Sequence, residues 1–154
     1  MMMDFTVFET PLGLMALEAE GDTLVRLRLP GTPIPRMMPR ETPLLAAGRQ
    51  QLLEYLAGAR TCFDLPLQPR GTPFQKTVWR ALQDIPWGQT RSYRDIALAV
   101  NCPKGFRAVG QANHLNPLPI FIPWHRVVAA DGSLGGYGGG AELKLALLRI
   151  EGIL

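Results

Sequence analysis

Cysteine is scarce: only Cys62 and Cys102 occur among 154 residues, and they form no Cys-x-x-Cys pair. Without that spacing there is no metal-ligand pattern to read, and no metal is expected. No apolar run approaches the roughly eighteen residues that a membrane span needs, so no membrane partner is expected. The opening Met1-Met-Met-Asp4 lacks both a basic n-region and an apolar h-region, which makes secretion unexpected. Reduced thiols in a cytoplasmic protein are the reading that fits. The glycine run Gly135-Gly-Tyr-Gly-Gly-Gly140 lacks the ordered Gly-x-Gly-x-x-Gly that follows a strand, so no nucleotide cofactor is expected. Lysine is also sparse, three against thirteen arginines, and with fourteen prolines this balance suits a thermophile.

What is present is a 47% apolar composition, enough for one core or two small ones. The charge is unevenly spread. Residues 1–69 carry six arginines and eight acids, a balance of −2, whereas residues 70–154 carry seven arginines, three lysines and five acids, a balance of +5. Positive charge concentrated in one half is what a polyanion-binding domain requires.

Alternating stretches at Phe5–Phe8, Leu12–Leu17 and Thr23–Leu29, with Gly21-Asp22 as a turn, predict a small sheet. Five prolines between Pro30 and Pro43 make an irregular connection. Leu44, Leu45, Leu52, Leu53 and Leu56 then recur at helical spacing up to Gly58. Residues 61–70 read as a linker. Thr72-Pro73 has the form of an N-cap followed by proline at the first helical position. Phe74, Val78, Leu82 and Ile85 mark the apolar stripe of that helix, which ends at Pro86-Trp-Gly88. Ser92 caps a second helix with Ile96, Ala97 and Val100 facing inward. Lys104–Leu115 is a third, with small residues Gly105, Ala108, Gly110 and Ala112 that permit close approach to another backbone. Helix, turn and helix together suggest a helix-turn-helix. Ala141–Ile150 closes the chain as an amphipathic helix, Glu142 and Lys144 on its polar side. The predicted class is α+β: a small N-terminal α/β support domain (1–69), then a winged helix-turn-helix-like DNA-binding domain (70–154).

The most informative stretch is Pro119-Ile-Phe-Ile-Pro-Trp-His-Arg-Val-Val128. Two prolines fix their own φ and bias the residues before them toward extended backbone, delivering Trp124, His125 and Arg126 in succession. Pro123-Trp-His-Arg-Val127, with Asn116-Pro-Leu-Pro119, Arg107-Ala-Val-Gly110, Ser92-Tyr93 and Gly136-Tyr137, resembles the O6-alkylguanine-DNA alkyltransferases, whose active site reads Pro-Cys-His-Arg-Val. Tryptophan at the cysteine position resembles the alkyltransferase-like branch of that family.

The resemblance implies that the third helix enters the minor groove. It places Tyr93, Arg107, Ala108 and Gly110 on DNA, Arg107 filling the place of a flipped nucleotide and Tyr93 meeting the 3′ phosphate. Flipping costs a few kcal/mol of unstacking, and a planar cation is suited to the vacancy. It also implies a lesion pocket formed by Trp124, Tyr137, Gly138 and Val127, and a remnant relay of His125, Glu151 and Asn116. Alkyl transfer needs a thiolate, and an indole is no comparable nucleophile, so no catalytic residue is expected. The expected function is a non-enzymatic sensor that binds O6-alkylguanine in double-stranded DNA as a monomer and flags it for nucleotide excision repair proteins. Two other readings stay open: a helix-turn-helix regulator that reads sequence, and an alkyltransferase using another nucleophile such as Cys62 or Cys102.

Overall fold

A computed structural model describes residues 3–134 and 140–154, and the chain divides into two compact units, Met1–Arg70 and Gly71–Leu154. In the first unit, strands β1 (Met3–Thr10), β2 (Gly13–Glu20) and β3 (Thr23–Arg28) form an antiparallel sheet in chain order. Period-two spacing puts Met15 and Leu17 into the interior with Phe5, and a register shift between Glu18 and Ala19 lets both Leu24 and Leu27 of β3 join them. Helix α1 (Pro43–Leu56) begins at Thr42, whose hydroxyl accepts from the Leu45 N–H, and it buries Leu45, Leu52 and Tyr55. Such a cap is worth about 1 kcal/mol.

Residues 61–70 are not a free linker. Leu67 bridges Leu24, the Leu24 N–H donating to Pro66 O at 2.9 Å and Gln68 N–H donating to Leu24 O at 2.8 Å. The outer edge of β3 would otherwise expose unpaired backbone groups, and this segment covers it.

The second unit is mainly helical. Its elements are α2 (Pro73–Gln83), β4 (Arg91–Ser92), α3 (Tyr93–Ala99), α4 (Phe106–His114), a 3₁₀ turn (Trp124–Arg126), β5 (Val127–Val128) and α5 (Ala141–Ile150). Thr72 with Gln75, and Ser92 with Asp95, form reciprocal capping boxes that fix the starts of α2 and α3. Helix α4 starts two residues later than its sequence suggests. The Gly105 N–H turns back to the Cys102 carbonyl at 2.8 Å, which leaves Lys104 and Gly105 in a turn before the helix. A Cβ at Gly105 would meet Cys102 Sγ at 2.5 Å, so that turn needs glycine for room. Trp79, absent from the stripe read in the sequence, is buried and donates its indole N–H to Ala112 O at 2.8 Å, tying α2 to α4. β4 and β5 make a two-residue parallel pair, Arg91 with Val127 and Ser92 with Val128. Among the described residues, no helix is long and apolar enough to cross a membrane.

Candidate functional site

The site is built around the loop from Asn116 to Val127. Asn116 closes that loop on itself, its amide N–H₂ donating to Ile122 O at 2.8 Å and its side-chain oxygen accepting from Leu118 N–H at 2.9 Å. Inside the bracket, buried Ile120 holds φ +75°. A β-branched residue pays of order 1–3 kcal/mol for that backbone, which persists only where its surroundings over-determine it. Ile122 N–H to Leu118 O and Trp124 N–H to Ile122 O, both 2.8 Å, carry the fixed loop into the 3₁₀ turn.

That turn presents three successive side chains with different partners. His125 is fully buried, its Nε2 2.7 Å from Glu151 Oε2. Arg126 is also buried. Its Nε donates to Glu151 Oε1 at 2.8 Å, Nη2 to Oε2 at 3.0 Å, and Nη1 to the Ile85 carbonyl at 2.8 Å. Glu151 accepts a further bond from the Gly88 N–H at 2.9 Å, where Gly88 has φ +80°, a conformation glycine adopts without a Cβ penalty. One carboxylate thus joins the end of α5, the loop after α2 and the 3₁₀ turn.

The charges follow from this geometry. Burial pushes the Glu151 carboxyl up, but the bonds from His125, Arg126 and the Gly88 N–H outweigh it and hold it down at about 2. Burial pushes His125 below its ordinary value, against the pull of Glu151. With Arg126 permanently cationic, the pair Arg126⁺–Glu151⁻ is complete, and neutral His125 donates from Nε2 to the carboxylate. Its tautomer is thereby set, with the lone pair on Nδ1.

Trp124 is largely buried, meeting the His125 ring edge-on with centroids 6.3 Å apart. Its indole N–H has no hydrogen-bond partner among the described residues. Asn113 of α4 contacts the same residue, donating weakly to Trp124 O at 3.4 Å. Lys144, expected on the polar side of α5, is instead only 1% exposed. Its Nζ donates to the Val127 carbonyl at 2.5 Å and lies 5.9 Å from the Tyr93 ring centroid and 5.7 Å from that of Trp124. Burial lowers its pKa from 10.5 to about 8. A hydrogen bond and two ring faces replace the water it loses.

The sequence-derived residues therefore fall in two places. Trp124, His125, Val127, Asn116 and Glu151 share the loop and its support, and Tyr93, first residue of α3, reaches them through Lys144. Arg107 and Ala108 are exposed on α4, and Gly110 is half-buried there. Tyr137 and Gly138 lie outside the described residues. Arg126, Lys144 and Asn113 were missed, although Arg126 stands inside the motif and a residue flanked by two assigned site positions invites assignment. Among the described residues, no group of three His, Cys, Asp or Glu side chains is placed to hold a metal.

The chain is thus a sheet-and-helix unit followed by a mainly helical unit whose loop is held by a buried His–Glu–Arg cluster. Residues 73–153 match the family described as 6-O-methylguanine DNA methyltransferase, DNA binding domain, and residues 3–69 its ribonuclease-like domain. The chain belongs to the 6-O-methylguanine DNA methyltransferase family. It is 49% identical to the constitutive methylated-DNA–protein-cysteine methyltransferase of Bacillus subtilis, covering 97% of this chain and 95% of the relative. It is 44% identical to the corresponding protein of Mycolicibacterium paratuberculosis, over 97% and 93%. The Mycobacterium tuberculosis OGT in complex with DNA superposes with a TM-score of 0.88 at 41% identity, over 96% of this chain and 92% of that one.

These relatives correct two expectations. The resemblance to the alkyltransferase-like branch, with Trp124 at the cysteine position, implies a non-enzymatic sensor and a chain without enzymatic activity. Near-full-length relatives at 40–49% identity are named methylated-DNA–protein-cysteine methyltransferases, which overturns the non-enzymatic reading.

Proposed function

We propose that this protein repairs O6-alkylguanine in duplex DNA, with α4 in the minor groove and the alkylated base turned out toward Trp124, the protein working as a monomer. The observation that carries this reading is the buried His125–Glu151–Arg126 cluster held under the loop, within a unit that matches a DNA-binding family. Arg107, exposed on α4, takes the place of the flipped nucleotide, and Tyr93 meets the neighbouring phosphate. The reaction named for the relatives moves a methyl group from DNA to a protein cysteine. In such a step a sulfur–carbon bond forms as the carbon–O6 bond breaks, the bonding electron pair stays on guanine, and the proton lost by the thiol ends on the released guanine. Trp124 supplies no thiol, so transfer to cysteine in this chain falls to Cys62 or Cys102. Cys102 is the one within the DNA-binding unit, at the turn before α4.

The test is incubation with duplexes that differ only in one O6-methylguanine, followed by intact-protein mass and peptide mapping, with Cys102→Ser and Cys62→Ser in parallel. Tighter binding to the lesion and a mass gain of one methyl for one proton, lost in one cysteine variant, is the expected result. Equal binding to both duplexes would overturn lesion recognition. Tighter binding with unchanged mass would overturn the transfer step and leave removal of the base to other repair proteins.

A further inference from the structure

Phe106 opens α4 immediately before Arg107 and is 49% exposed. On a helix of 3.6 residues per turn it lies one turn from Gly110, between two distinct faces. One face buries Val109, Ala112 and Asn113, the last touching the Trp124 carbonyl. The other presents Arg107, Gln111 and His114 to solvent. A lone exposed aromatic ordinarily needs no explanation. This one stands at the border between the loop-facing side of α4 and its exposed side, next to an exposed arginine, within a unit matched to a DNA-binding family.

From this placement we propose that Phe106 is a second DNA-contacting wedge, packing its ring against the base step beside the one that Arg107 occupies. The chemistry is that of minor-groove proteins, which press apolar side chains against partly unstacked steps and so offset the cost of distorting the duplex. Arg107 supplies charge and hydrogen bonds; Phe106 supplies an apolar face that water now covers. The two residues divide one task, and the division has a signature. Loss of the phenyl ring weakens binding to lesion-containing and undamaged duplex alike, with little change in salt dependence, because no phosphate contact is lost. The proposal rests on the reading of α4 as the DNA-contacting helix.

The experiment compares wild type with Phe106→Ala, Phe106→Trp and Arg107→Ala. Affinity is measured for duplexes with and without O6-methylguanine at two salt concentrations, with a fluorescent base analogue next to the lesion to report unstacking. Phe106→Ala is expected to bind both duplexes about tenfold more weakly, which is about 1.4 kcal/mol, and to quench the analogue's unstacking signal, whereas Phe106→Trp restores both. Equal helix content by circular dichroism keeps a folding defect from imitating this result. Wild-type affinity and signal in Phe106→Ala, while Arg107→Ala loses binding, would overturn the wedge and leave α4 on DNA. A wild-type protein that binds neither duplex would overturn the reading of α4 itself. Weakened self-association with unchanged DNA binding in Phe106→Ala would assign the ring to a second copy of the chain and overturn the proposal.

Discussion

His125 Nε2 and Glu151 Oε2 stand 2.7 Å apart with neither side chain exposed, and the same carboxylate takes the Arg126 guanidinium. Replacing Glu151 strands a buried arginine. Glu151→Gln is expected to destabilise the protein by about 3–5 kcal/mol, read by denaturant unfolding at neutral pH. Its pH dependence is equally specific. The folded-state pKa of about 2 lies below the ordinary 4.5, so this stability is present above about 4.5 and is lost as pH falls toward 2. The difference between wild type and Glu151→Gln should shrink through that window; a constant difference would show that the carboxylate is not the group titrating.

Lys144 is shifted in the same direction for a different reason, burial, and acts in a higher pH window. Its folded-state pKa of about 8 lies below the ordinary 10.5, so the unfolded chain holds the extra proton between these values. Stability attributable to Lys144 should rise with pH from about 8 to about 10.5, by at most about 1.4 kcal/mol per pH unit. Lys144→Met keeps the side chain out to Cε without the charged group and should abolish that rise; thermal unfolding of both proteins across the window decides it.

Restoring a thiol to the loop should show whether the supporting cluster is functional. Trp124→Cys places sulfur next to a histidine whose tautomer Glu151 fixes. The variant is expected to gain one methyl from an O6-methylguanine duplex at residue 124, located by peptide mass mapping. Trp124→Cys combined with His125→Ala should be much slower, since a general base contributes about 10²–10⁴-fold. An unmethylated Trp124→Cys protein that still binds the lesion would show the cluster to be structural only.

Among the described residues, Arg107 makes no hydrogen bond or ion pair on the exposed side of α4. Arg107→Ala is expected to leave the unfolding midpoint unchanged and to weaken binding to the lesion duplex by about 1–3 kcal/mol in a titration. A shifted midpoint would assign it to the fold instead.

Much of the architecture was legible in the sequence because its signals are local. Thr72-Pro73 and Ser92 announce helix starts by cap chemistry, and the alternation of the first strands is a two-residue rhythm. What escaped depends on distant partners. Lys144 resembles any surface lysine until the Val127 carbonyl, 17 positions away, and two rings are brought to it. Arg126 is only one more arginine until Glu151 and Ile85 surround it. The motif located the site, while the substituted residue within it misled the functional reading, because one altered side chain reports a local chemistry and not the whole reaction.

The pairing of Leu24 with Leu67 has a practical side. Proteases and protein engineers both look for a seam between modules, and the proline-bearing stretch before Arg70 advertises one. Severing the chain there would peel away the strip that seals the rim of the first sheet, leaving a sticky border primed for aggregation. The safe seam is the peptide bond between Arg70 and Gly71, where the last of the sheet's covering has been left behind.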